Sequence, residues 1–210
     1  MEKFSEFITE AKEEKYRLLI ISNKPDKNEY FYTTQRFLDE AKKLGIPGYA
    51  LMAESANIVH GQVWNSGDEK NKFDISTDNI LAIVRGSVAR RDAYMDVISQ
   101  LEKVGVSVVN SRETISICAD KYRTSLRFAD TGVPTPKTTL VQSEETLQAS
   151  LDIVGEKYPM ILKTLRGSKG VGVIFIESKR QLISLIQLLW KQDDATEILL
   201  QSYIKSDFDV

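Results

Sequence analysis

The 210 residues carry a formal net charge of −2, with 42% hydrophobic and 28% charged side chains, the balance of a globular chain that can bury its own core. No overall basic field argues for nucleic acid, one cysteine excludes an internal disulfide and fits a reducing cytosol, and no run approaches the ~18 apolar residues of a membrane span. The opening MEKFSEFITEAKEEKY lacks the apolar centre of a signal peptide, so the expected location is cytoplasmic, without a membrane partner.

Phe4, Phe7, Ile8 and Ala11 recur at helical spacing and predict a short amphipathic helix. RLLIIS (Arg17 to Ser22) reads as a buried strand. Tyr30 to Leu44 then reads as a helix with Phe37, Leu38, Ala41 and Leu44 on one face and Gly45 as its stop. Val59 to Ile75 holds two short β-like runs around NSGDEKNK, a hairpin pattern. ILAIVR (Ile80 to Arg85) is the next buried strand. Tyr94, Val97, Ile98, Leu101 and Val104 mark a helix ending at Gly105, and VSVVN (Val106 to Asn110) is another strand. This rhythm is that of an open α/β sheet, from Met1 to about Ser111. The first strand runs into NKPDKNEY, which has no glycine. A pyrophosphate could not approach the helix N-terminus there, so this front domain is not a dinucleotide site. Arg85, Arg90 and Arg91 read as a solvated face, His60 has no assigned role, and Cys118, between Ile115, Ile117 and Ala119, reads as buried packing.

The second half has a different texture. Arg112 to Thr131 reads as one helix closed by Gly132, after which VPTP forces an extended exit. KTTLVQ (Lys137 to Gln142) is a strand, and Ser143 to Gly155 a helix with SEET as a capping start; Glu144 and Glu145 would serve the helix dipole. YPMILKT and VGVIFIES are strands on either side of a glycine loop. Leu182 to Trp190 is apolar nearly all round, the pattern of a buried helix, and ILLQSYI (Ile198 to Ile204) is a last strand.

Gly167, Gly170 and Gly172 crowd the stretch KTLRGSKGVG, and a hairpin turn needs only one or two glycines. A P-loop would open a helix, whereas this loop leads into a strand. A kinase loop has G-x-G-x-x-G with its lysine downstream, whereas here the order is G-x-x-G-x-G and Lys163 stands upstream. The arrangement fits a flap between antiparallel strands, its N–H groups folding over a triphosphate and Lys163 supplying a point charge. A lysine snorkelling from a strand end into water fits Lys163 equally well on these residues alone.

VVNSRETISICADKYRTSLRFADTGVPTPKTTLV, YPMILKTLRGSKGVGVIFIES and ILLQSYIKSDFDV, in this order and with AIVRGS before them, resemble the ATP-grasp superfamily. Within it they are most similar to RimK-type glutamate ligases and their tetrahydromethanopterin- and lysine-biosynthesis relatives. The resemblance is clear from about Ile80 to Val210. It implies an α/β architecture: an open pre-ATP-grasp domain over 1–111, a small α+β lobe with a glycine flap over 112–197, and an adenine-contacting strand opening a large lobe over 198–210.

The same resemblance assigns roles. Lys121 and Lys163 would reach the ATP phosphates. Gly167, Ser168, Gly170 and Gly172 would form the flap. Gln201 would join the nucleotide contacts, Ser202, Tyr203 and Ile204 would hold the adenine edge through main-chain groups, and Asp209 would accept from the ribose. Arg85 would bind substrate where its strand opens the active site. Most relatives carry Glu at the position of Ser202, a change that a main-chain contact would survive, and the stretch from Lys205 to Asp209 is shorter than usual. The implied reaction is ATP-dependent carboxylate–amine ligation with Mg²⁺, joining glutamate or a similar amino acid to a protein or peptide carboxylate. The metal ligands of such enzymes lie in the large lobe, which the sequence only begins. The chain is therefore expected to form the front two-thirds of a ligase that holds nucleotide poorly and transfers nothing alone, with ILLQSYI as a weakly held apolar edge. The alternative is a non-catalytic nucleotide- or protein-binding module.

Overall fold

A computed structural model describes residues 16–23, 32–76, 79–86, 91–165 and 172–206. The chain divides into two units, Met1–Ile115 and Ser116–Val210. The expected N-terminal helix, Arg90, and the flap residues between 166 and 171 lie outside the described residues.

The first unit runs β1 (Arg17–Ser22), α1 (Tyr32–Lys43), β2 (Gly48–Met52), β3 (Ala56–Val59), β4 (Gln62–Asn65), β5 (Phe73–Asp74), β6 (Ile80–Val84), α2 (Asp92–Lys103) and β7 (Ser107–Val109). Its main sheet is parallel, in the order β2-β1-β6-β7, with Leu19 beside Tyr49 on one side and Ala82 on the other. Leu19, Ile20 and Ile21 are fully buried. A central parallel strand covered on both faces needs such a continuous apolar run, which is why RLLIIS shows no alternation. Strand β2 escapes the sequence reading. Its first residue is Gly48, and a Cβ there would lie 3.0 Å from Leu38 Cδ2, so glycine lets α1 settle on the strand.

The expected hairpin around NSGDEKNK forms as the β4-β5 pair, and β3, starting at Ala56, extends it to a three-stranded antiparallel meander, β3-β4-β5. Its first turn is His60-Gly61, both at positive φ (47° and 75°), the twist that a two-residue hairpin demands. Arg17 joins the meander to β1. Its Nη1 donates to the Asp74 carbonyl at 2.7 Å, and its guanidinium lies 4.2 Å from the centre of the Phe73 ring.

Helix α3 (Arg112–Cys118) spans the boundary between the units. The second unit continues with α4 (Lys121–Asp130), β8 (Thr138–Val141), α5 (Leu147–Val154), β9 (Met160–Thr164), β10 (Val173–Ile176), α6 (Lys179–Gln192) and β11 (Ile198–Ser202). The sheet is antiparallel, ordered β10-β9-β11-β8. One face supplies Met160, Leu162, Ile176, Ile198 and Leu200 to a core closed by Leu151, Leu182 and Ile186 of the helices.

Several expectations are corrected here. The single helix over Arg112 to Thr131 is two, because Asp120 adopts an extended backbone and caps α4, accepting from the N–H groups of Tyr122 and Arg123 at 2.9 Å each. Cys118 is exposed rather than buried. The helix expected from Ser143 begins at Leu147. Before it the Thr146 hydroxyl accepts from the N–H groups of Gln142 and Ser143, so Glu144 and Glu145 sit in a turn. Helix α6 buries only Leu182 and Ile186 and leaves Leu188 51% exposed. Strand β11 is no weak edge: it lies between β9 and β8, with Ile198, Leu199 and Leu200 at 1% exposure or less.

Candidate nucleotide site on the open face of the second sheet

Side chains alternate along a strand, so burying Met160 and Leu162 turns Ile161 and Lys163 to the opposite face of the sheet. The cross-strand register sets Leu199 opposite Lys163, Gln201 opposite Ile161, and Thr138 opposite Gln201. Lys163, Gln201 and Thr138 are thus brought together from three adjacent strands. Lys163 Nζ donates to Gln201 Oε1 at 2.7 Å, and Gln201 Nε2 donates to Thr138 Oγ1 at 2.9 Å. On the same face, beyond the end of β11, Tyr203 meets Phe175 edge-on, with ring centroids 5.2 Å apart. Both rings are more than 40% exposed.

A second cation arrives from α4. Lys121 Nζ donates to the carbonyls of Thr164 (2.9 Å) and Leu165 (3.2 Å) at the end of β9. The Asp120 cap fixes where α4 starts and hence where Lys121 stands. Burial depresses the Lys163 pKa below the ordinary lysine value, and the Lys121 charge depresses it further. Among the described residues, neither lysine pairs with a carboxylate. The site therefore holds two ammonium groups on neutral acceptors, a setting that favours an incoming polyanion.

Gly172 precedes β10, across from the end of β9. Its φ is +77°, and a Cβ there would overlap the Thr164 hydroxyl. Gly167, Ser168 and Gly170, expected in the flap, and Asp209, expected at the ribose, lie outside the described residues. The Ser202 N–H is already committed to the Lys137 carbonyl at 2.9 Å. Past the strand end, Tyr203 and Ile204 are 41% and 62% exposed.

Arg85 belongs to the other unit. It follows β6, its N–H donates to the Ile21 carbonyl at 2.7 Å, and its side chain is exposed at the carboxyl end of the parallel sheet. In the same place, Asn23 Oδ1 is buried without a partner among the described residues. Gly86 would carry a Cβ only 2.8 Å from that oxygen. Strand order reverses between β1 and β6, where open α/β sheets take ligands. A 450 Å³ cavity of this unit lies at the opposite end, among strand-start residues Leu18, Ile80 and Ser107 with Phe37 and Leu44.

Sequence reading missed Thr138 and Asp120. An Asp immediately before a run of helix formers was the signal for the second; Thr138 had none, since its partner lies 63 residues away. Among the described residues, no group of three or more His, Cys, Asp or Glu gathers to hold a metal. No helix among them is long and apolar enough to cross a membrane.

Residues 118–209 match the RimK-like ATP-grasp domain. A probable alpha-L-glutamate ligase of Haemophilus influenzae is 26% identical over 195 residues, which cover 90% of this chain and 62% of that protein. One from Legionella pneumophila is 30% identical over 109 residues, 52% of this chain and 35% of its own. Among solved structures, the RimK domain protein ATP-grasp from Sphaerobacter thermophilus is similar with a TM-score of 0.63 at 18% identity, covering 91% of this chain and 65% of its own. The N5-carboxyaminoimidazole synthetase of Staphylococcus aureus, complexed with ADP, gives 0.59 at 13% identity, covering 91% and 48%. The mixed α/β fold is thus that of ATP-grasp ligases, and the chain spans about 62% of the length of the Haemophilus relative.

Proposed function

We propose, from the match of residues 118–209 to the RimK-like ATP-grasp domain, that the second unit provides the phosphate-binding wall of an ATP-dependent carboxylate–amine ligase. The observation that carries this reading is the pair Lys121 and Lys163. They come from a helix and a strand, stand near enough for the charge of Lys121 to act on Lys163, and rest on neutral oxygens. Both would contact the nucleotide phosphates, with the flap that ends at Gly172 covering them and the Tyr203–Ile204 stretch beside the base. The reaction class is ligation of a carboxylate to an amine through an acyl phosphate. The proposed substrates are glutamate or a similar amino acid and a protein or peptide carboxylate, in the cytoplasm, with Arg85 contributing to the substrate side.

Mg²⁺ neutralises phosphate charge in such transfers. The described residues do not build a cage for it, so no role is assigned to any of them as a metal ligand. Titration calorimetry with ATP, with and without Mg²⁺, tests the proposal on wild type, Lys121→Met and Lys163→Met. Each charge-assisted contact is worth about 1.5–3 kcal/mol, so each substitution should weaken binding by roughly tenfold or more. An unchanged Kd in both variants would overturn the assignment. Tight nucleotide binding without glutamate ligation in a full-length protein would favour a non-catalytic binding module.

A further inference from the structure

We propose that Gln201 is the positioning residue of Lys163, its amide holding the ammonium in place on a neutral oxygen whose direction is set by Thr138. The inference rests on the phosphate-binding role of Lys163 proposed above and assigns Gln201 a task other than touching the nucleotide.

The direction of the hydrogen bonds carries it. The Thr138 hydroxyl has one proton, and it donates that proton to the Pro136 carbonyl at 2.8 Å. Toward Gln201 it can therefore only accept, and it does so from Nε2 at 2.9 Å. This fixes the amide with Oε1 pointing at Lys163, 2.7 Å from Nζ. Were the amide reversed, two donors would face each other at Lys163 and two acceptors at Thr138. Four groups on β8, β9, β11 and the segment before β8 thus form a one-way relay ending on the ammonium.

The neutrality of the acceptor matters as much as its position. A carboxylate at residue 201 would satisfy Lys163 fully and compete with phosphate oxygens for it. An alkyl group would leave the ammonium without a seat on a face where Leu199 and Val173 flank it and Lys121 repels it. The amide stabilises the charged lysine yet yields it to a polyanion. Lys121 is the other titrating group acting on Lys163 among the described residues; Gln201, Leu199 and Val173 do not titrate.

The test compares Gln201→Leu and Gln201→Glu in two readouts. First, the alkaline titration of Lys163 in the free protein is followed by NMR of isotope-labelled lysine side chains. Gln201→Leu should move the Lys163 pKa down and Gln201→Glu should move it up, with Lys121 far less affected. Second, inorganic tripolyphosphate is titrated at neutral pH. Both variants should bind roughly tenfold more weakly, the first for want of a seat and the second through competition. In a Lys163→Met background, neither substitution should weaken binding further. An unmoved Lys163 titration, or an equal loss of affinity with and without Lys163, overturns the positioning role. If Lys163→Met alone leaves tripolyphosphate binding unchanged while the NMR shifts appear as expected, the phosphate-binding reading fails and the positioning role stands.

Discussion

Thr164 and Gly172 face each other at the end of the β9–β10 pair, so closely that only a residue without a side chain fits. The Thr164 N–H donates to the Gly172 carbonyl at 2.9 Å, and the space a Cβ would fill on Gly172 is taken by the Thr164 hydroxyl. Glycine is required there twice over, since φ is also +77°. Gly172→Ala should cost about 1–3 kcal/mol in urea unfolding. Adding Thr164→Ala removes the overlap but not the backbone strain, so the double variant should recover part of the loss. A Gly172→Ala protein with wild-type stability would contradict this geometry.

Asp120 is 8% exposed and caps α4 with two hydrogen bonds to the main chain. Asp120→Ala should lose about 1 kcal/mol of stability, whereas Asp120→Asn keeps an accepting oxygen and should lose less. Because Lys121 follows immediately, fraying of this first turn should also weaken tripolyphosphate binding in the Ala variant. Thermal unfolding and titration calorimetry on the same two proteins check both effects.

The elements that were legible in the sequence are those whose surroundings are uniform. Leu19, Ile20 and Ile21 are buried on both faces, so β1 reads as an unbroken apolar run; Ile98 and Leu101 recur at helical spacing because α2 packs along one stripe. The glycines after Lys163 marked the site because a crowded glycine loop between strands needs a reason. What stayed illegible depends on distant partners. Gln201 lies 38 residues from Lys163, and Thr138 lies 63 from Gln201, so no local pattern announces the relay. The break at Asp120 was hidden because Ile115 and Ile117 before it and Tyr122 and Leu126 after it sustain a helix-like apolar count, while a single cap residue stops the helix. The apolar look of α6 misled for a related reason: only Leu182 and Ile186 are fully buried, Leu185, Leu189 and Trp190 pack partly buried against the core, and Ile183 and Leu188 are exposed.

Leu200 is fully buried in the strand at the centre of the second sheet, opposite Leu162 and Thr139. Leu200→Ala should destabilise this unit by about 2–5 kcal/mol, the range for an aliphatic side chain removed from a closed core. Ile204→Ala, at a position 62% exposed past the end of the same strand, should change stability by less than about 0.5 kcal/mol. Urea unfolding of the two variants separates an interior strand from a dangling edge; equal and small losses would restore the edge reading.

The two site lysines should differ in what they cost the fold. Lys121 closes the carbonyls of Thr164 and Leu165, so Lys121→Met removes two donors from partly buried oxygens and should cost about 1 kcal/mol or more. Lys163 is held with a lowered pKa, by burial first and by Lys121 second. The unfolded chain therefore binds more protons at this residue than the folded one across the window between the lowered folded value and the ordinary lysine value of about 10.4. In that window, stability rises with pH as the folded state sheds its strained charge; below it, the full penalty is present. Lys163→Met should thus be at least as stable as wild type at neutral pH, with its advantage narrowing as pH climbs toward the ordinary lysine range. Tripolyphosphate affinity should fall in both variants. In wild type it should decline on the alkaline side earlier than an unperturbed lysine would allow, since binding needs Lys163 protonated. Unfolding curves from neutral pH up to the ordinary lysine value of about 10.4 read the first effect, and calorimetry over the same interval reads the second. A Lys163→Met protein that is clearly less stable than wild type at neutral pH, with no convergence as the pH rises, would show that the ammonium supports the fold rather than waiting for a polyanion.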